Sequence, residues 1–351
     1  MTRRFSLLVV VAAIALLASA CTRTINTSGS GSFNAQPKDL YGAMPSLSDV
    51  SALLGDDNWR PGPPSFGVRP LDVASMPLTE KFAVTQPFVH LGSAETFIVD
   101  YEVWSDSGAA KSHMSSVQTA LGTAAITSPK VGDQVIYYGS QGSGAAPYQT
   151  VTLVRAGQVV AVIGWDLKDA FPKVAQLTKI ANKVIVRLNS VMAGKVRTSP
   201  PAASDTAVLP PDSLDLTLLG SARIPVEAAV VMIGATSIDT LAQVLRSHGV
   251  SDVVFGDYAL NADTHMEVRA TVLTFTTAKE ATDWLAPFVS SMATGQEGYY
   301  DDAHGWYVFP FVSGARAAMI ICQSTVSTEA ASRACESPLT RVTAAWKVNL
   351  T

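Results

Sequence analysis

Cysteine and histidine are both scarce in this chain, with three and five copies in 351 residues. None of His90, His113, His248, His265 and His304 has a second His or Cys at metal-ligand spacing, which argues against the common zinc sites. A phosphate cradle is missing too. The glycine-rich stretch Gly139 to Tyr148 (GSQGSGAAPY) holds no lysine and runs into a second apolar segment, Thr150 to Val154, where a cradle needs a helix, so it reads as a long hairpin loop. No Gly-x-Ser-x-Gly elbow stands between a strand and a helix, so α/β-hydrolase chemistry has no nucleophile. Carboxylate pairs such as Asp56-Asp57 and Asp100 with Glu102 are too frequent in proteins to mean a glycosidase without geometry. Positive charge is also short: 25 Lys and Arg face 29 Asp and Glu, with no basic patch, which argues against nucleic acid as a partner. No catalytic residue, metal ligand or cofactor is assigned on these grounds.

What the chain has is a leader. Arg3 and Arg4 precede a run from Phe5 to Ala20 that is almost wholly apolar and stops at small residues before a polar tract. That is the pattern of a secretory signal, too short to span a bilayer comfortably and followed by no basic stop-transfer cluster. The string Leu17-Ala18-Ser19-Ala20-Cys21 resembles a bacterial lipobox, with Ala18 where Leu is usual. The resemblance implies cleavage before Cys21 and a diacylglycerol thioether on its sulfur, completed by fatty acyl chains such as palmitate. Each buried methylene of such chains adds about 0.8 kcal/mol to membrane binding, so several chains on one residue anchor firmly. The alternative is an ordinary signal peptide with an incidental cysteine. Removing residues 1–20 takes away Arg3 and Arg4 and leaves 23 basic against 29 acidic side chains, a balance of −6.

With Cys21 committed to lipid, Cys322 and Cys335 remain. In an exported chain a residual even pair is most simply a disulfide, the alternative being two buried thiols.

Two breaks organise the rest. The tract after the anchor (TRTINTSGSGSFNAQPKD) is poor in apolar residues and reads as a flexible tether. Ala193 to Asp212 holds four prolines and many small residues between two apolar-patterned regions, which marks a domain boundary. The expected layout is a signal peptide over 1–20, a lipidated tether over 21–38, a first module over 39–192, a Pro-rich linker over 193–212 and a second module over 213–351.

The modules read as a tandem duplication. Glu95 to Met114 (ETFIVDYEVWSDSGAAKSHM) and Met266 to Leu285 (MEVRATVLTFTTAKEATDWL) each give a strand, a polar turn and a helix start, and they align without a gap, setting Trp104 opposite Phe275. Val154 to Ile163 aligns with Val312 to Ile321 when Gly157 is set on Gly314. Each copy closes on an amphipathic helix: Val174, Leu177, Ala181, Val184 and Leu188 recur at helical spacing after Asp169, and Leu339, Val342 and Trp346 do so after Ser337 as cap and Pro338. Ser46 with Asp49, and Thr236 with Asp239, open N-terminal helices ended by Gly55 and Gly249. His248 falls in the last turn of the second of these and reads as a surface histidine near a helix C-terminus. The expected class is α+β, with each module an antiparallel sheet carrying helices packed on one face.

The densest polar constellation is GYYDDAHGWYVFP, which gathers Tyr299, Tyr300, Asp301, Asp302, His304, Trp306 and Tyr307. Carboxylates beside an imidazole can hold a cation, and clustered aromatics can grip a sugar or an acyl chain. The plainer reading is a solvent-exposed turn feeding a strand from Trp306 to Phe311, with its aromatics alternating into the core.

The lipobox-like cysteine, the Ser/Gly tether and the Ala-, Val- and Thr-rich α+β modules together resemble the exported lipoproteins of actinobacteria, mycobacteria included. The second half, with Cys322 on an apolar strand and Cys335 just before the terminal helix, is similar to extracellular sensor domains of mycobacterial receptor kinases. These resemblances imply a lipid-anchored, extracytoplasmic envelope protein that binds or senses a lipid, glycan or protein partner rather than an enzyme. The other class is an envelope hydrolase or metal-binding protein using Asp301, Asp302 and His304.

Changing Cys21→Ser should leave the precursor unprocessed or release the protein from the membrane fraction, as read by fractionation and mass spectrometry. A variant that stays processed and membrane-bound contradicts the anchor.

Overall fold

The structure is a computed structural model, and it describes residues 36–67, 80–93, 95–141, 148–167, 170–195, 201–228, 238–262, 266–290, 292, 296–302, 305–324 and 329–350. Cys21, Asp169, Thr236, His265 and His304 lie outside the described residues. The chain divides into two compact units, one from Met1–Trp59 with Leu71–Thr198 and the other from Arg60–Pro70 with Ser199–Thr351. The architecture is α+β, with one antiparallel sheet per unit.

In the first unit, α1 (Pro37–Ala43) and α2 (Leu47–Leu54) lead in. The expected capping box is present: the Asp49 amide donates to Ser46 Oγ at 3.2 Å and the Ser46 amide donates to Asp49 Oδ2 at 3.1 Å. Gly55, at φ 79°, ends α2 in the left-handed conformation that side chains resist. In chain order the strands that follow are β1 (Trp59–Pro61), the short β2 (Ser65–Gly67), β3 (Glu80–His90), β4 (Thr96–Trp104), β5 (Gln134–Gln141), β6 (Tyr148–Ala156) and β7 (Val159–Leu167); β3 to β7 lie wholly in the first unit, and β2 falls in the segment Arg60–Pro70. The main path of the sheet is β1-β3-β4-β7-β6-β5. Helix α3 (Ser107–Leu121) follows β4 and α4 (Val174–Met192) follows β7.

In the second unit, α5 (Ala203–Thr206) precedes β8 (Leu216–Ile224), α6 (Ile238–Ser247), β9 (Val250–Leu260), β10 (Met266–Phe275) and α7 (Ala278–Val289). Then come β11 (Tyr299–Asp301), β12 (Trp306–Ser313), β13 (Arg316–Ser324), α8 (Glu329–Ser332) and α9 (Glu336–Asn349). The sheet order is β8-β9-β10-β13-β12-β11, the same order as in the first unit with each strand replaced by its counterpart.

The likeness extends to register. Val103 pairs with Val159 in the first sheet, and their counterparts Thr274 and Arg316 pair in the second. The β6–β7 hairpin closes on the pair Ala156 and Val159 around Gly157 (φ 61°), and the β12–β13 hairpin on Ser313 and Arg316 around Gly314 (φ 55°). Even an irregularity recurs. Trp104 pairs with Glu80 and Val103 with Phe82, skipping one residue of β3, while Phe275 pairs with Val250 and Thr274 with Asp252, skipping one residue of β9. A bulge at one place in both copies is a designed feature of a shared fold. Trp104 and Phe275 therefore end equivalent strands, and the helices that follow are capped at equivalent positions by Asp106 and Thr277.

Helices shield the sheets. From α3, Ala110, Met114 and Val117 pack on Trp104, Ile136, Leu153 and Val160. On the opposite side of β4, Phe97, Val99, Tyr101 and Val103 are buried, and the Tyr101 hydroxyl donates to the Ala43 carbonyl at 3.1 Å. Helix α4 buries Leu177, Ile180, Ala181, Val184, Ile185 and Leu188, a set that contains every expected position except Val174. In the second unit α9 lays Leu339, Val342 and Trp346 against Val268, Ala270, Val272, Phe309 and Phe311, and Trp346 Nε1 donates to the Val208 carbonyl at 2.8 Å. Each such large side chain, fully buried, is worth about 1.5–3 kcal/mol. One detail differs from expectation: α9 begins at Glu336 with Cys335 at the cap, so Ser337 sits inside the first turn, where its Oγ accepts from Arg341 instead of capping.

Where the copies diverge, their chemistry changes in place. Trp104 stacks on His113 with ring centres 4.4 Å apart, and the equivalent rings in the second copy are Phe275 and Trp284, 6.1 Å apart. His113 Nε2 also lies 3.5 Å from Glu102 Oε2, at a position where β10 has Leu273. Phe97 pairs with Trp165 on β7, and the corresponding pair is Val268 with Cys322 on β13. Cys322 and Cys335 form a disulfide, both side chains buried and the Cα atoms 6.4 Å apart, which staples β13 to the start of α9. The expected pairing is thus present.

Non-reducing peptide mapping should recover Cys322 linked to Cys335, and Cys322→Ala with Cys335→Ala should lower stability by up to roughly 3 kcal/mol, the chain-entropy value for a loop of this size. Two alkylatable thiols in protein taken from the native envelope contradict the link.

Candidate functional site

The aromatic and acidic segment forms a short hairpin. Tyr299 pairs with Val308, Tyr300 with Tyr307 and Asp301 with Trp306, and the connection closes through the Gly305 amide donating to the Asp301 carbonyl at 2.8 Å. Gly305 takes φ 73° there, as a tight turn needs. Gly298 is required for a different reason: an added Cβ would stand 2.8 Å from both the Phe309 ring and the Val308 carbonyl oxygen. The expected strand from Trp306 is present and runs on to Ser313.

Strand alternation splits the seven candidates between two faces. Tyr300 and Tyr307 point to the face that joins the α9 core, with Tyr307 buried in that cluster and Tyr300 packed against it. Tyr299, Asp301 and Trp306 point to the other face. Asp302 is exposed at the turn and His304 lies outside the described residues. Burial and the neighbouring Asp301 carboxylate push the Tyr299 hydroxyl up, while burial and the Glu336 carboxylate push up that of Tyr307. Among the described residues no group of three His, Cys, Asp or Glu is placed to hold a metal ion.

The face bearing Tyr299, Asp301 and Trp306 continues across the sheet. Trp306 pairs with Gln323, and Gln323 with Glu267, so Asp301, Trp306, Gln323 and Glu267 form one row over four strands. At about 4.8 Å per strand the row spans roughly 14 Å. Arg269, two residues along β10, is ion-paired with Glu267, yet burial outweighs it and pushes the Glu267 carboxyl up. In the first copy the same row is Ser140, Gln149, Asp166 and Thr96. Thr96 donates to Asp166 Oδ2 at 3.1 Å, and burial pushes the Asp166 carboxyl up to about 6. The row is polar in both copies.

The first unit also brings together three residues that no sequence pattern links. β3 ends at His90, and the hairpin to β4 turns through Gly92 (φ 105°) and Ser93, closed by the His90 amide on the Glu95 carbonyl at 2.9 Å. Ser93 Oγ lies 2.7 Å from His90 Nδ1, and His90 Nε2 lies 3.0 Å from Asp56 Oδ2. Asp56 directly follows the Gly55 cap of α2, and its other oxygen accepts from the Asn58 amide at 2.7 Å. That bond, then the imidazole, holds the Asp56 carboxyl below its usual range. Trp59 meets the His90 ring edge-on at 5.2 Å, and the His90 side chain is only 13% exposed. An open depression beside Asp56 is lined by Leu47, Ser51, Ala52, Asp56 and Asp57.

No family model matches the chain, and no curated protein matches it. Among solved structures, the extracellular domain of PknH from Mycobacterium tuberculosis is similar at 12% identity and a TM-score of 0.35, over 44% of this chain and 97% of that one. DynU16, a putative protein in the dynemicin biosynthetic locus, follows at 13% identity and a TM-score of 0.13, over 84% of this chain and 97% of that one. Likenesses this weak carry no argument about activity. Among the described residues no helix is long and apolar enough to cross a membrane.

Proposed function

We propose that the chain is an exported lipoprotein, held at the outer face of the cell membrane through Cys21, whose second module binds an envelope lipid, glycan or protein without transforming it. The leader and the lipobox-like cysteine support the location. One observation carries the binding reading: Asp301, Trp306, Gln323 and Glu267 lie in register on a single sheet face beside Tyr299. Such a row offers an indole face, an amide and carboxylates at strand spacing, and aromatic residues next to polar groups supply much of the binding energy in recognition surfaces. Tyr300 and Tyr307 serve the core instead, which narrows the contact surface to the opposite face. The metal or hydrolase alternative would use Asp301, Asp302 and His304, of which His304 lies outside the described residues. The partner in this reading is not nucleic acid, given the acidic balance of the chain.

Replacing Tyr299 and Trp306 together by Ala should leave a folded, membrane-bound protein that loses at least about tenfold in recovery of co-purifying envelope lipid, glycan or protein, the scale of one lost aromatic anchor. Replacing Tyr300 by Ala should instead lower the melting temperature and leave partner recovery unchanged at saturating protein. Unchanged recovery in the first variant contradicts the reading.

A further inference from the structure

We propose that Ser93, His90 and Asp56 form a hydrolytic site in the first module that acts on neutral carboxylic esters. The proposal rests on their juxtaposition at the β3–β4 turn and stands independently of the binding reading of the second module. A serine hydroxyl becomes nucleophilic when a base takes its proton and a third group orients that base. All three parts are present. The His90 ring bridges Ser93 Oγ at 2.7 Å through Nδ1 and Asp56 Oδ2 at 3.0 Å through Nε2. Asp56 is an acceptor, and the Asn58 amide and the imidazole keep it ionised, so the Nε2–H tautomer is the one it selects. The Nδ1 lone pair then faces Ser93. Ser93 Oγ also accepts from the Glu95 amide at 3.4 Å, which leaves its own proton to be donated to Nδ1. The ring nitrogens are used in the opposite sense to the familiar serine protease arrangement, but the roles of nucleophile, base and orienting carboxylate are the same.

The surroundings suit an ester. Trp59 and the β3–β4 hairpin leave the imidazole 13% exposed, while Asp56, at 40%, opens on the depression beside α2. The neighbouring carboxylates of Asp56 and Asp57 disfavour anionic substrates.

In the first half-reaction Ser93 Oγ bonds to the carbonyl carbon as its proton passes to His90 Nδ1. Collapse of the adduct breaks the carbon–oxygen bond to the alcohol, which leaves with that proton. In the second half-reaction water attacks the acyl-Ser93 carbonyl, giving its proton to Nδ1. The acyl–Oγ bond then breaks, the proton returns to Ser93, and the carboxylic acid departs. Asp56 touches no reacting atom. It is a positioning residue that holds the tautomer and stabilises the transient imidazolium.

The test uses the full-length chain in detergent with a fluorophosphonate probe and p-nitrophenyl acetate. Peptide mass spectrometry should place the phosphonyl adduct on Ser93 of the unmodified protein, a result that needs no variant to fold. Ser93→Ala and His90→Gln should each lower ester turnover by about 10²-fold or more, the range for removing a nucleophile or general base. Asp56→Asn should slow turnover while Ser93 still takes the label, and Asp56→Glu should restore part of the rate, which a merely structural Asp56 would not do. No adduct on the unmodified protein, an adduct elsewhere, or turnover unchanged in a folded Ser93→Ala protein overturns the proposal.

Discussion

β4 and β10 are hydrogen-bonded to a neighbour on each edge and carry apolar side chains on alternate positions, so each can exist only if its sheet faces are covered by the rest of its own module. A strand in that position loses its edges to partner strands and its faces to helices, and any backbone group left over inside would go unpaid in hydrogen bonds. The other elements follow from this need. The helix after each central strand packs back over the residues at that strand's end, the terminal helix covers the face bearing Phe97 and Tyr101 or Val268 and Val272, and the hairpin between supplies the remaining strands. Tyr101 and Tyr258 add matching ties, each buried hydroxyl donating to a backbone carbonyl of a leading segment, Ala43 or Pro210.

Because the two modules satisfy the same constraint in the same register, differences between them mark where one frame has been put to different uses. The Trp165 position becomes Cys322 and gains a covalent link, and the His113 position becomes Trp284 and loses a polar partner. The turn from β3 to β4 carries His90 and Ser93, with Ser93 Oγ 2.7 Å from His90 Nδ1. Turns at strand ends are free to vary because the core does not depend on their side chains.

Much of this was legible in the order of residues. A gapless twenty-residue match found equivalent strands and helices, since an alternating apolar pattern passing into a helical one survives wide divergence. Ser46 with Asp49 and the glycines after two helices marked real caps because their chemistry is local. The terminal helix was placed well on its apolar stripe but its first turn was not, as a run such as Ser337-Pro338 fits both cap and interior. The plainer reading of Tyr299 to Tyr307, a turn feeding a strand whose aromatics alternate into the core, matches the two-residue period that sends Tyr300 and Tyr307 to one face and Tyr299 and Trp306 to the other. Asp56, His90 and Ser93 were not legible as a group. Their association depends on the chain after α2 meeting the end of β3, which no spacing rule encodes.

Amide hydrogen exchange followed by mass spectrometry tests most directly the claim that each half is a complete fold built around its own central strand pair. The account predicts the slowest exchange in β4 with β7 and in β10 with β13, at comparable levels in the two halves, with faster exchange in the edge strands β5 and β11. Central strands of either half that exchange as fast as its edge strand would contradict it.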